Sequence, residues 1–154
     1  MSTFDPDAFL NTQTTEANET HYTPVPGGDY KGVISDLKLR TPKESVIAEL
    51  YWQLLDVPDA VLKEFGREKV IVRQSVFLDI ENGVLAQGKN KNVQLGMVRE
   101  ALGLNTAGQP FSLRMLNGAG PAQLRVEVKA RADNAEIQEN RITRVAKIAS
   151  AVAA

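Results

Sequence analysis

The chain has 154 residues, 43% of them hydrophobic and 24% charged, with a formal net charge of −1. That composition fits one globular domain, and the near-neutral total names no polyanionic partner. With no cysteine and a single histidine, His21, disulfide frameworks, Cys-based zinc sites and Cys-His catalysis are excluded, and a Ser-His-Asp engine would have to run on His21.

The charge is unevenly spread. Residues 1–30 carry five acids (Asp5, Asp7, Glu16, Glu19, Asp29) and no Lys or Arg, whereas the other 124 residues hold all eighteen basic residues and fourteen acids, a balance of +4. The pattern is an acidic arm on a mildly basic body. Residues 1–27 show no sustained apolar period and are expected to be disordered or to lie extended along the body. Asp5 and Asp7 stand where a secretory signal needs basic and apolar regions. No stretch approaches the roughly 18 apolar residues of a membrane span, so a cytoplasmic location is expected.

Pro24-Val25-Pro26-Gly27-Gly28 is a break and turn, after which the body, residues 28–149, begins. A first strand is expected over 29–40, ending at Thr41-Pro42. A second covers 45–55, with Val46, Ala48, Leu50, Trp52 and Leu54 on one face and Ile47, Glu49, Tyr51 and Gln53 on the other. Pro58 opens a short helix, 59–65, closed by Gly66. The third strand, 69–80, turns Val70, Val72, Val76, Leu78 and Ile80 one way and Lys69, Ile71, Arg73, Ser75, Phe77 and Asp79 the other. A loop follows over 81–90. Asn92 is placed to cap a helix whose apolar positions are Val93, Met97, Val98, Ala101 and Leu102, and Pro110–Leu116 suits one more helical turn. The fourth strand alternates Leu124, Val126, Val128 and Ala130 against Arg125, Glu127, Lys129 and Arg131. Asp133-Asn134 marks a hairpin before a last strand, 137–148, and residues 150–154 form a short featureless tail.

The chain is therefore expected to be mainly β with short helices. Each strand has one apolar and one mixed face, as a small closed antiparallel barrel requires. Five strands with a helix between the third and fourth is the arrangement of the OB-fold.

Three local motifs point to catalysis and fail on context. Gly83 to Asn90 has the G-x-x-x-x-G-K spacing of a phosphate-cradling loop, but Asn90 replaces the hydroxyl that holds Mg²⁺, and the body reads antiparallel. Glu127-Val128-Lys129 is half of a metal-dependent nuclease pattern, and its formal partner, Asp59, falls at a helix start nearly seventy residues away. Asp79 and Glu81 are exposed acids at a strand end. No enzyme activity, metal or cofactor is expected.

A coherent constellation lies on the mixed strand faces. Tyr51, Arg73 and Phe77 sit on strands two and three, Lys129 and Arg131 on strand four, and Arg40, Lys43, Lys89 and Lys91 in or beside the loops. Single-stranded nucleic acid is held by such a set, since bases stack on aromatic faces while Lys and Arg follow the phosphates. OB barrels use the face of strands two and three for this. The same two aromatics also suit packing beneath the arm or at a subunit contact.

Several landmarks carry a family resemblance: Phe4-Asp5-Pro6, Pro24-Val25-Pro26-Gly27 leading into Asp29-Tyr30-Lys31-Gly32, Glu49-Leu50-Tyr51-Trp52, the segment Gly88 to Gly96, Arg99 to Gly103, and Asn140-Arg141-Ile142. Together, over about residues 4–148, they resemble small bacteriophage OB-fold proteins regarded as single-stranded-DNA-binding proteins of replication and recombination. The resemblance implies a non-enzymatic protein that coats displaced strands in the host cytoplasm. Phage or host replication and recombination proteins, and further copies of the chain, are the partners it allows. The acidic C-terminal tail of well-known DNA-coating proteins has no counterpart in Ser150–Ala154. The acidic stretch lies at the other end, where it is expected to compete with DNA as an electrostatic mimic. The alternative is a protein-interaction module, of the virion or of host takeover, on the same barrel.

Overall fold

The computed structural model describes residues 4–18, 23–131 and 133–148, so His21 and the tail at 150–154 lie outside the described residues. The elements in chain order are α1 (Pro6–Leu10), β1 (Gly28–Arg40), β2 (Val46–Leu54), α2 (Asp59–Phe65), β3 (Val70–Leu78), β4 (Ile80–Glu81), β5 (Val84–Leu85), α3 (Val93–Ala101), a 3-10 turn (Leu113–Leu116), β6 (Ala122–Ala130) and β7 (Gln138–Ala146). Five long strands form one antiparallel sheet in the order β3-β2-β1-β6-β7, and β4 and β5 make a separate hairpin. Among the described residues no helix is long and apolar enough to cross a membrane.

Strand alternation builds the core. Tyr30 and Ile34 of β1, Leu50, Trp52 and Leu54 of β2, Val70, Val72 and Val76 of β3, and Ala122, Leu124 and Val126 of β6 are all buried, together with Leu95, Val98 and Ala101 of α3. Trp52 is wholly buried, and its indole N–H donates to Gln74 Oε1 at 2.9 Å, which satisfies the one polar atom that burial would otherwise leave costly. Gly32 makes room for Leu124 beside this ring: a Cβ there would stand 2.6 Å from Leu124 Cδ1 and 3.2 Å from the Gln53 carbonyl oxygen.

A bulge at Ser35 divides β1. Residues 28–32 pair with β6, Ile34 bonds across to the Gly118–Ala119 loop, and Asp36 to Arg40 pair with β2 alone. The extra residue shifts the alternation, so Tyr30, Gly32 and Ile34 point inward before it and Leu37 after it.

The expected closure into a barrel is not made by a hydrogen-bonded ladder. β3 and β7 are the two edges of the sheet; they approach each other without pairing among the described residues, and α3 packs against both. A helix filling the gap removes the need for the last ladder. On β3 the amide of Gln94, from α3, accepts from Phe77 N at 3.1 Å and donates to Ser75 O at 3.2 Å, which covers part of that edge.

Four local expectations are corrected. The arm is not wholly without structure: Asp5 accepts from the Asp7 and Ala8 amides, Pro6 occupies the first turn, and α1 results. The buried stripe of α3 is Leu95, Val98 and Ala101, leaving Val93 and Met97 more than half exposed. Asn92 precedes α3 but makes no side-chain cap. Its amide is spent on Asp79 N, Asp79 O and Ala86 O, which pins the loop to the end of β3. That loop contains a hairpin, turned at Asn82-Gly83, whose φ values of 52° and 79° are those of the tight turn that Asn-Gly favours. α2 runs from Pro58 to a left-handed Gly66, as its sequence signals require. Val25 lies in the core, with its amide donating to Asn140 Oδ1 and its carbonyl accepting from Asn140 Nδ2.

Candidate nucleic-acid interface

Three cross-strand rows form the outward face of β1–β3. Arg40 faces Ile47, which faces Phe77; Lys38 faces Glu49, which faces Ser75; Asp36 faces Tyr51, which faces Arg73. Alternation puts these side chains opposite the core, and antiparallel pairing sets them side by side. Phe77 is 61% exposed. Tyr51 is half-buried, with Lys38 Nζ 5.4 Å from its ring centroid.

Glu49 occupies the centre of this face. Its side chain is 4% exposed, Arg40 Nε donates to Oε1 at 2.9 Å, Ser75 Oγ donates to Oε2 at 2.7 Å, and Arg73 Nε lies 3.6 Å from Oε2. Both arginine side chains stay more than half exposed.

Toward the open edge, Ile71, Arg73 and Phe77 of β3 face Arg131, Glu139 and Arg141 across a groove of about 720 Å³, with Thr23 and Pro24 at its rim. Arg131 donates to both carboxylate oxygens of Asp133, at 2.9 and 2.7 Å. This hydrogen bond from Arg131 holds the Asp133 carboxyl below the usual carboxylate range, and Arg131 is in turn held more firmly protonated.

The structure thus brings Arg40, Tyr51, Arg73 and Phe77 onto one face and sets Arg131 across the adjoining groove. Lys129, two residues before Arg131, is exposed and paired in register with Glu139, outside the groove lining. Lys43 lies in the β1–β2 turn in a left-handed conformation, φ 54°. Lys89 and Lys91 lie in the loop before α3, and Lys91 Nζ is 3.7 Å from Glu81. The Asp79–Asn92 bonds hold this loop at the Phe77 end of β3, the end at which the β1–β2 turn also emerges. The sequence placed few acids among these cations, whereas Arg40, Arg73, Lys91 and Arg131 each have a carboxylate partner.

Sequence reasoning put Glu49 on this face without a role and overlooked Lys38 and Arg141. An acid within the run Val46 to Leu50 is the signal for the first, since a charge in a central strand must find partners. Spacing two residues before Arg40 is the signal for Lys38.

A larger cavity, of about 1850 Å³, lies between the Glu81–Asn92 loop, α3, the 105–113 loop and the end of β7. Its best-placed cation is already used: the Arg99 guanidinium stacks 4.0 Å from the Phe111 ring centroid, and Nε donates to Leu104 O. Among the described residues no group of three or more His, Asp or Glu is arranged to hold a metal ion. No protein-family model matches the sequence, and no curated protein matches it.

Proposed function

We propose that this chain is a non-enzymatic single-stranded-DNA-binding protein with an OB-type barrel, acting in replication or recombination of a phage within the host cytoplasm. The observation that carries the reading is the outward face of β1–β3, where exposed Phe77 and half-buried Tyr51 stand beside Arg40, Arg73 and Lys38. Stacking platforms interleaved with cations suit a flexible strand with splayed bases. Further support comes from the strand order, which is that of an OB barrel opened between its third and last strands, with a helix at the opening. The family resemblance points the same way, and allows phage or host replication proteins and further copies of the chain as partners.

Fluorescence anisotropy with a mixed-sequence strand of about 30 nucleotides tests this, since an OB domain covers roughly 4–16. Binding is expected at micromolar concentration or below at low salt. A log–log salt slope of about −3 is expected if four phosphates are engaged at roughly −0.7 each. No binding at low salt rejects the reading.

The arm enters as a competitor. Thr23 and Pro24 line the groove, so the acidic segment begins at the site it would cover. Removing residues 1–22, which leaves core residue Val25 in place, is expected to tighten low-salt binding by about two- to fivefold, an effect that screening abolishes at high salt. Unchanged or weaker binding by the shortened chain rejects the competition.

A second reading, a protein-interaction module, is favoured by α1, which is capped at its start yet buries nothing. Phe4, Phe9 and Leu10 are 68%, 58% and 78% exposed, a preformed apolar patch of the kind that enters a partner's groove.

A further inference from the structure

We infer that Glu49 is the positioning residue of the binding face: it holds Arg40 and Arg73 in place for the DNA backbone, and its removal weakens binding although it removes a negative charge. The inference rests on the single-stranded-DNA reading and assigns this residue a role within it.

A carboxylate at the centre of a face meant for a polyanion opposes binding by simple charge count, and burying it carries a desolvation cost. The arrangement around it resolves this. Glu49 lies on β2, between Arg40 on β1 and Arg73 and Ser75 on β3, so a single side chain ties all three strands. Its two oxygens are divided between the neighbours: Oε1 takes Arg40 Nε at 2.9 Å, and Oε2 takes Ser75 Oγ at 2.7 Å with Arg73 Nε at 3.6 Å.

Both arginines approach through Nε, and both stay largely exposed, at 55% and 63% of the side chain. An unanchored arginine loses its rotamer freedom when it meets a phosphate, whereas one already held by a buried carboxylate has lost it on folding. The cluster keeps a formal charge of +1, and its two arginines lie in the rows that carry the rings, Arg40 in that of Phe77 and Arg73 in that of Tyr51. Phosphate contacts are thereby fixed relative to the stacking rings.

Pure charge and positioning predict opposite orders of affinity. If Glu49 acts only through its charge, Glu49→Ala and Glu49→Gln both bind more tightly than wild type, and Ser75→Ala is unchanged. If it positions the arginines, Glu49→Ala binds about five- to tenfold more weakly at low salt, as freeing one or two side chains requires. Its salt slope becomes shallower by about 0.7 for each phosphate that is no longer neutralised. Glu49→Gln keeps an acceptor for Arg40 but turns an NH2 group toward Arg73, which loses its partner, and is expected to bind about two- to threefold more weakly than wild type although it too loses the charge. Ser75→Ala removes one anchor at constant charge and is expected to bind about two- to threefold more weakly.

A role confined to stability would lower the melting temperature of Glu49→Ala and leave the affinity and slope of the folded protein unmoved. Anisotropy titrations of the full-length variants with a mixed-sequence oligodeoxynucleotide at two salt concentrations decide the matter. Circular dichroism confirms the folded fraction, and if Glu49→Ala does not fold, the Ser75→Ala result decides alone. Wild-type affinity or better in Glu49→Ala, or wild-type affinity in Ser75→Ala, overturns the inference while leaving the DNA-binding reading standing. Absence of binding by the wild-type chain overturns both.

Discussion

Replacing Trp52 with alanine is expected to cost about 3–5 kcal/mol of folding stability, the range for large-to-small changes at a buried aromatic. The ring has no exposed surface, sits on β2 between β1 and β3, and has Ile34 on one side and Val72 on the other in register. Its neighbours are poorly placed to collapse into the space. Gly32 has no side chain to offer, and Gln74 would lose the indole donor at 2.9 Å while remaining near the core. An unsatisfied acceptor adds to the cavity cost. Against a typical total of about 5–15 kcal/mol, the variant would be partly unfolded at physiological temperature. Urea unfolding followed by circular dichroism should show a lower midpoint with an unchanged slope. A loss below about 1 kcal/mol would contradict the packing described for this residue. Trp52 is the chain's only tryptophan, so its emission reports the core, and bound DNA is expected to leave it almost unquenched.

Tyr51→Ala and Phe77→Ala are expected to weaken single-stranded-DNA binding by about 1–3 kcal/mol each, roughly five- to 150-fold, the measured worth of base–aromatic stacking. The two rings lie in different rows of the face, so a double variant should approach the sum unless one base bridges both. Phe77 is mostly exposed, and its removal should shift stability by no more than about 0.5 kcal/mol. Tyr51 is half-buried beneath Lys38, so its stability cost should be larger. Binding loss with retained folding is the diagnostic combination. Affinity unchanged in both variants, with a smaller particle on size-exclusion chromatography, would instead assign the two rings to a contact between copies.

How much of this was legible in the sequence follows from the range over which each feature is determined. The faces of β2 and β3 could be read because alternation is local: Trp52 and Tyr51 point to opposite sides simply by being neighbours in a strand. α2 was legible for the same reason, between Pro58 and Gly66. The face of α3 was read in part: Val98 and Ala101 are buried as expected, but a stripe through Val93 and Met97, which are exposed, fits a helical period as well as the buried one through Leu95. The choice between the two stripes is made by β3 and β7, which are remote in sequence. The hairpin at Asn82-Gly83 has a strong turn signal but strands of only two residues, too short to show a period. The same limit applies to the interface. Tyr51 and Arg73 could be placed on one face, but the groove that sets Arg131 and Arg141 opposite them depends on how the sheet's two edges come together. The role of Glu49 depends on a three-strand register that only the folded chain sets.

The bulge at Ser35 separates two jobs within β1. Before it, the strand is locked into the core through β6; after it, the strand answers only to β2 and ends in a turn carrying Lys43, with Leu39 60% exposed. The outer half is therefore a ruler laid along β2, seated on the core through Leu37 and paired with buried Leu50 and Ala48, whose length fixes how much strand the face can span. Residues added in pairs, one on each side of the turn, extend the ruler and keep its polarity, whereas a single added residue turns its binding side toward the interior. Homologous chains should accordingly differ in this hairpin by even steps, and the site can grow or shrink while the body stays the same.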